Sequence, residues 1–328
     1  MEPSMDVPDQ ILEKEQAAEP KDSNFQSSTA TTLMMQHFIL MNREDLVAAS
    51  RLIKEHFQRF GLSVHCGDKR NDEPSKTEVM FIPAKGYIPS AGDTADVMLN
   101  EHEFFGFCET FKYLGTTFDN KLDGSTDIQV RIRQATAAFA SMKKLLQDQK
   151  LSNKMRVRSY EATVLNILLF GCESWALKAE DRRRLEVFHH RCLRSMLRIS
   201  IYDVKEYHIR NSSIREELGC YSLHQQMELR RARWLEKVAN MGPTRNPRKI
   251  LVAWTPHSRP RGRPKKTIRH AYADTLQQSL DVNPSLHEWI PMAADHGRWA
   301  SQVEEKIRLK QGTYKPFKDR RNGQQQNT

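Results

Sequence analysis

Six apolar side chains constrain this chain more than anything else in it. Ile128, Ile132, Ala135, Phe139, Met142 and Leu146 step by four, three, four, three and four residues. An α-helix, at 3.6 residues per turn, puts all six on one face. A helix with one long apolar stripe must pack against other helices, and candidates come directly after it. Ser152 is placed to cap the next one. Its end, Val164 to Phe170, reads as apolar on every side and so central in a core, with Gly171 closing it. Leu185, Phe188, Cys192, Met196 and Ile199 make a third face, and Arg182, Arg183, Arg184, Arg191, Arg194 and Arg198 fall largely off it. Ser213-x-x-Glu216 and Ser222-x-x-Gln225 read as capping boxes opening two more helices. The second carries Leu223, Met227, Trp234, Val238 and Met241 and stops at Gly242-Pro243. After a Pro/Arg/Gly linker at 255–265, helices are expected near 267–280 and 286–308, the latter capped by Ser285-x-x-Glu288. Trp175, Trp234 and Trp299 read as core anchors.

The first 118 residues read differently. Residues 1–31 are acidic, polar and without apolar periodicity, the pattern of a disordered tail. Asn42 can cap a helix carrying Leu46, Ala49, Ile53, Phe57 and Phe60, which Gly61 ends. Strands are expected at Leu62–His65, Glu78–Ile82, 97–108 and 111–118, with a loop at 84–96. The fold class is therefore α+β, mainly α. An α/β segment (32–118) packs on a helical domain (119–242), followed by a basic linker with helices (243–309) and a disordered end (310–328).

Charge narrows the function. Fifty-one Lys and Arg oppose 41 Asp and Glu, a net +10. The excess is local: residues 229–270 hold thirteen Lys or Arg against Glu236 alone, whereas 1–30 hold seven acids against Lys14 and Lys21. A concentrated cation excess favours a polyanionic partner. Five widely spaced cysteines make neither a disulfide framework nor a zinc ribbon, so a reducing compartment is expected. His189 and His190, adjacent on a helix, point about 100° apart and do not readily share one ion. No apolar run is long enough to span a bilayer, and the acidic N-terminus is neither a signal nor a transit peptide. An intracellular protein is expected, with no membrane partner.

Three pieces, in order, carry a family resemblance: Lys76-Thr77-Glu78, then Phe111-Lys112-Tyr113-Leu114-Gly115-Thr116-Thr117-Phe118, then a helical region centred on Leu168-Leu169-Phe170-Gly171-Cys172-Glu173-Ser174-Trp175. With Arg230-Arg231-Ala232-Arg233-Trp234 they resemble the C-terminal part of a LINE-type, non-LTR retrotransposon endonuclease/reverse transcriptase, over roughly residues 40–300. The resemblance implies the end of a palm, a thumb and a basic tail. The intact family enzyme is an RNA-directed DNA polymerase whose palm aspartates bind Mg²⁺ ions. It also implies roles in holding nucleic acid: Lys76 near the reacting phosphates, and Phe111, Tyr113 and Gly115 in a primer-gripping hairpin. Arg230, Arg231 and Arg233 belong to its basic helix. The chain departs from the pattern at Glu236-Lys237, where the family has Gly-His.

It departs more seriously at the metal site. Counting back from Asp45-Leu46, the aspartate pair should fall at Met34-Met35, and Mg²⁺ demands oxygen ligands that methionine lacks. No cofactor and no catalytic residue are therefore expected in this chain. Tyr272-Ala273-Asp274-Thr275 mimics the catalytic signature but offers one acid on a helical pattern. A truncated reverse-transcriptase-derived protein is the first reading, with RNA or DNA as partner. Two alternatives stand beside it: a domesticated DNA- or RNA-binding protein, and a non-functional open reading frame of a decayed element. Arg259-Pro260-Arg261-Gly262-Arg263-Pro264-Lys265-Lys266 suits the binding readings. Extended Arg-Gly-Arg can lie in an A·T minor groove as in an AT-hook, contact phosphates, or serve nuclear import. A nuclear location is expected.

Overall fold

The computed structural model describes residues 42–84, 87–252 and 268–308. The acidic N-terminus, Met34-Met35 and the basic run Arg259, Arg261, Arg263, Lys265 and Lys266 lie outside the described residues. Chain contacts divide the molecule between Ala49 and Ser50, within the first helix.

That helix, α1 (Arg43–Arg59), starts where expected, with Asn42 Oδ1 accepting from the Asp45 amide at 2.7 Å. Gly61, at φ 70°, ends it. Its second half is tied down by polar contacts: Arg51 Nε donates to the Leu99 carbonyl at 2.9 Å, and Lys54 pairs with Glu103. The strands are shorter than expected. They are β1 (Gly67–Asp68), β2 (Glu78–Val79), β3 (Val97–Met98) and β4 (Glu103–Phe107). β4 is the hub, antiparallel to β1 and β3 and parallel to β2. Leu62–His65 makes no ladder, and only Glu78–Val79 of the expected Glu78–Ile82 strand pairs. Residues 97–108 form two antiparallel strands rather than one, because Asn100 turns the chain: its side-chain oxygen accepts from the His102 and Glu103 amides at 2.9 and 2.7 Å.

Residues 111–118 also fold back on themselves. β5 (Thr110–Tyr113) and β6 (Thr116–Asp119) pair antiparallel, Tyr113 opposite Thr116. The two linking residues, Leu114 and Gly115, have φ of 45° and 88°. That is the type I′ geometry matching the twist of a tight hairpin. Gly115 takes it without strain, whereas an exposed leucine does not. Leu114→Gly is expected to stabilise the protein by about 0.5–1 kcal/mol. A lowered denaturation midpoint in urea would contradict this.

The helical part obeys its periodicity closely. In α2 (Ser125–Leu146), Ile128, Ala135 and Leu146 are buried, and Ile132, Phe139 and Met142 pack against the same core. α3 (Asn153–Tyr160) opens with Ser152 Oγ accepting from the Met155 amide at 3.3 Å. It continues through a π-helical turn, Glu161–Leu165, into the short α4 (Asn166–Leu168). Val164, Leu165, Leu168 and Leu169 are fully buried, but Phe170 is 47% exposed, so the run is not buried on every side. Gly171 comes next at φ 73°. α5 (Ala179–Met196) buries its expected face, and Ile199 just beyond it is buried too.

Three caps differ from expectation. α6 (Ile201–Glu206) opens on a capping box formed by Ser200 and Asp203, not foreseen because Asp stands where Glu or Gln is usual. α7 (Asn211–Leu218) begins two residues before Ser213, so that box does not form. Ser285 accepts through its backbone carbonyl, not its side chain. The Ser222–Gln225 box opens α8 (Leu223–Ala239) as expected. Next come α9 (Asn246–Val252) and α10 (Ile268–Asp274), the latter extended by a π-helical turn to Ser279. The helix expected over 286–308 is two, α11 (Leu286–Ala294) and α12 (His296–Val303). Asp295 breaks it in an extended conformation, and its Oδ1 caps α12 by accepting from the Arg298 amide at 3.1 Å.

The apolar interior forms two clusters. One gathers α2 to α7 and the start of α8, ending at Met227. The other begins at Leu229 and gathers the rest of α8 with α10, α11 and α12. Trp175 belongs to the first and Trp299 to the second, while Trp234 packs partly buried on the second. The α8 helix therefore serves both. At the changeover sit two buried charges, Glu228 and Arg231, paired at 3.3 Å.

Candidate nucleic-acid interface

The hairpin is locked to α2 by a charged relay. Asp127 Oδ1 accepts from the Thr117 amide at 3.0 Å and lies 3.4 Å from Arg131 Nε. Arg131 also donates to the Gly115 carbonyl and lies over the Phe170 ring, 4.5 Å from its centre. Both charges are almost fully buried. A Cβ at position 115 would meet that ring at 3.4 Å, an ordinary van der Waals contact, so it is the φ of 88° that favours glycine there. Phe111 and Tyr113 are half-buried and alternate with exposed Lys112. Lys76 is exposed just before β2, its amide donating to His65 Nδ1 at 3.3 Å. It leads into a strand of the four-stranded sheet, and the hairpin is a separate sheet. Asp127 and Arg131 were not singled out from sequence, and Phe170 was read only as part of an apolar core run. The only hint is the Asp-x-x-x-Arg spacing at the start of α2, which suits an ion pair on one helix face.

Arg230 and Arg233 open onto a cleft of about 520 Å³ between α3 with its π-helical turn and α8. Arg158, Arg230, Arg233 and Lys237 line it, facing Glu161 and Glu173, with Trp234 and Tyr221 at its wall. Arg230, Arg233 and Lys237 fall at i, i+3 and i+7, the spacing that gives one helix face. Arg230 is steadied by Asn166, to which it donates. The Glu161 carboxyl, held by Gln226 Nε2 at 2.6 Å, has its pKa raised by burial, against the pull of Arg230. Trp234 stacks on Tyr272 at 4.8 Å, which fixes the ring at the cleft wall. Four cations against two carboxylates give the cleft a net positive lining. Arg158 was not singled out from sequence, and Lys237 was noted only as a departure from the family pattern; neither was named as a site residue.

Arg231 is placed apart from its neighbours. It is 6% exposed, donating from Nη2 to the Trp175 carbonyl at 2.9 Å and pairing with Glu228. It faces the interior rather than the cleft because it falls on the apolar side of α8. Tyr272, in the mimic of the catalytic signature, is buried, and its hydroxyl donates to the Glu173 carbonyl at 2.6 Å. Glu236, where the family pattern has glycine, pairs with His296 at the start of α12. Among the described residues, no three His, Cys, Asp or Glu side chains come together as a metal site. His190 donates from Nδ1 to the Glu186 carbonyl at 2.9 Å and accepts from Arg215 at 2.9 Å. The Cys172, Cys192 and Cys220 thiols are pushed up to about 12 by burial, which makes them unreactive. Among the described residues, no helix is long and apolar enough to cross a membrane.

No protein-family model matches this chain, and no solved structure does. It is 22% identical over 266 residues to an "uncharacterized transposon-derived protein" of Caenorhabditis elegans, covering 78% of this chain and 88% of that protein. This similarity is consistent with an origin in a transposable element.

Proposed function

We propose that this chain is a nucleic-acid-binding protein of LINE-type reverse-transcriptase ancestry, one that holds a strand or duplex without copying it. The observation that carries the binding part is the cleft, where Arg158, Arg230, Arg233 and Lys237 converge from two helices beside Trp234. The ancestry is supported by the order of Lys76, the Leu114-Gly115 hairpin and the Trp175 segment, and by the transposon-derived relative. The non-catalytic part rests on Met34-Met35 standing where Mg²⁺ would need carboxylates.

Binding of the full chain to duplex and single-stranded probes should weaken steeply with salt, by about 0.9 log units per log unit of salt for each duplex phosphate contacted. Replacing Arg158, Arg230, Arg233 and Lys237 by Gln is expected to flatten the duplex slope by roughly two to four units. An unchanged slope would remove the cleft from the reading. Loss on replacing Arg259, Arg261, Arg263, Lys265 and Lys266 instead would move the site to the tail. Primer extension on an RNA template with Mg²⁺ or Mn²⁺ should stay at the level of a boiled control, and incorporation above it would overturn the non-catalytic part.

A further inference from the structure

The end of α5 and the turn into α6 hold a second set of groups that the cleft does not use. Arg191 and Arg198 are exposed and Arg194 is partly so. The Arg191 guanidinium lies 5.4 Å from the centre of the Phe188 ring. At the end of α2, Gln147 Nε2 donates to the Ser195 carbonyl and hydroxyl at 3.0 and 2.9 Å. The last turn of α2, with exposed Lys143 and Lys144, therefore lies beside the same end of α5.

Cations in a last helical turn complement the helix dipole, which is reason enough for them to be there. The dipole gives no reason for the exposed rings of the next helix. α6 buries no residue at all. Tyr202 is 71% exposed and Tyr207 42% exposed. Arg198, at φ 57°, turns the chain from α5 into α6, so the rings come directly after the cations. Of the two acids in this segment, Asp203 is held in the capping box, accepting from the Ser200 amide at 2.8 Å, and Glu206 is exposed next to Tyr207. Exposed rings that follow exposed guanidinium groups along the chain suit a ligand that is flat and anionic in alternation. Unpaired bases stack on aromatic faces while their phosphates meet arginine, whereas in a duplex those base faces are already stacked on one another.

We infer that Arg191, Arg194, Arg198, Tyr202 and Tyr207 form a second nucleic-acid site, one that takes a single strand. None of these residues lines the cleft.

The test uses the full chain and three probes: a thymidine oligonucleotide, a blunt duplex, and phosphatidylserine vesicles. Replacing either tyrosine by Ala should weaken binding of the single strand about 5- to 150-fold for each ring that stacks a base, while duplex binding stays within two-fold. The Tyr202→Phe/Tyr207→Phe double variant should bind as the wild type does. Photocrosslinking with 5-iododeoxyuridine should mark the tryptic peptides 199–205 and 206–210. Both rings are solvent-facing, so an unchanged melting curve is expected and separates lost binding from lost structure. Unchanged single-strand affinity, equal losses on strand and duplex, a loss in the Phe variants, or lost vesicle binding with nucleic-acid binding intact would each overturn the inference. Its outcome is separable from that of the cleft, whose Gln variants are read on duplex with both tyrosines in place.

Discussion

Arg231→Ala is expected to lower the unfolding free energy by about 3–5 kcal/mol, the cost of breaking a buried ion pair from one side. Glu228 and Arg231 are 4% and 6% exposed, so neither can recover hydration in the folded state. Truncating the arginine strands the Glu228 carboxylate, whose Oε2 already has no partner, and takes the donor from the Trp175 carbonyl. His224 lies 3.6 Å from Glu228 and is half in solvent, so it does not replace the buried guanidinium. Replacing both partners together, Glu228→Gln with Arg231→Met, should cost clearly less, because no buried charge is left alone. Urea denaturation of the full chain, followed by circular dichroism, gives both numbers. A loss under about 1 kcal/mol for Arg231→Ala would mean that water reaches the pair, and the picture of a sealed junction would fail.

A second large effect should appear with acid. His189 is buried, its Nδ1 hydrogen-bonded to the Tyr160 hydroxyl at 2.9 Å and its Nε2 without a partner. Burial, reinforced by His190 and Arg215, pushes its pKa down to about 3, against a weaker opposing contribution from the Tyr221 backbone. Proton counting gives the sign. Below about pH 6.5 the unfolded chain binds a proton here that the folded chain refuses until about pH 3. Stability is therefore lost as pH falls through that window, at up to about 1.4 kcal/mol per unit, or roughly 2–3 kcal/mol by pH 4.5. His190, also lowered by burial and Arg215, acts in the same direction. His189→Asn keeps a polar partner for Tyr160 and cannot take up the proton. The variant should lose correspondingly less stability than the wild type between pH 7.5 and pH 4.5. Equal losses in the two proteins would show that His189 does not carry the effect.

What could be read from the sequence, and what could not, divides along one physical line. The stripe Ile128 to Leu146 and the face Leu185 to Ile199 were legible because burial imposes its period on the residues themselves. The cap at Ser152 and the box at Ser222 were legible because a short polar side chain three residues before a helical amide has a specific local partner. Strand extents were not, since pairing is decided by residues far away: Glu78 opposite Gly106, Gly67 opposite Phe104. The cleft was half legible for the same reason. Arg230 and Arg233 stand in a basic run, whereas Arg158 becomes part of the site only when α3 folds against α8. Arg231 shows the opposite failure. Its neighbours in sequence are cations of the surface, but one step along the helix is a rotation of about 100°, and that carried it inside.

That same rotation gives the shared helix a consequence for how this gene can change. Between Met227 and Leu229, α8 passes from one interior to the other without a loop. Gain or loss of a single codon there would swing everything beyond it by about 100° and by 1.5 Å along the axis. Every apolar contact of Leu235, Val238 and Trp299 would then be out of phase with the half that precedes it. Insertions of this kind are absorbed easily where a chain has turns to give, and α8 between Leu223 and Ala239 has none. Across those seventeen codons, length itself, more than any one side chain, is what the two interiors require.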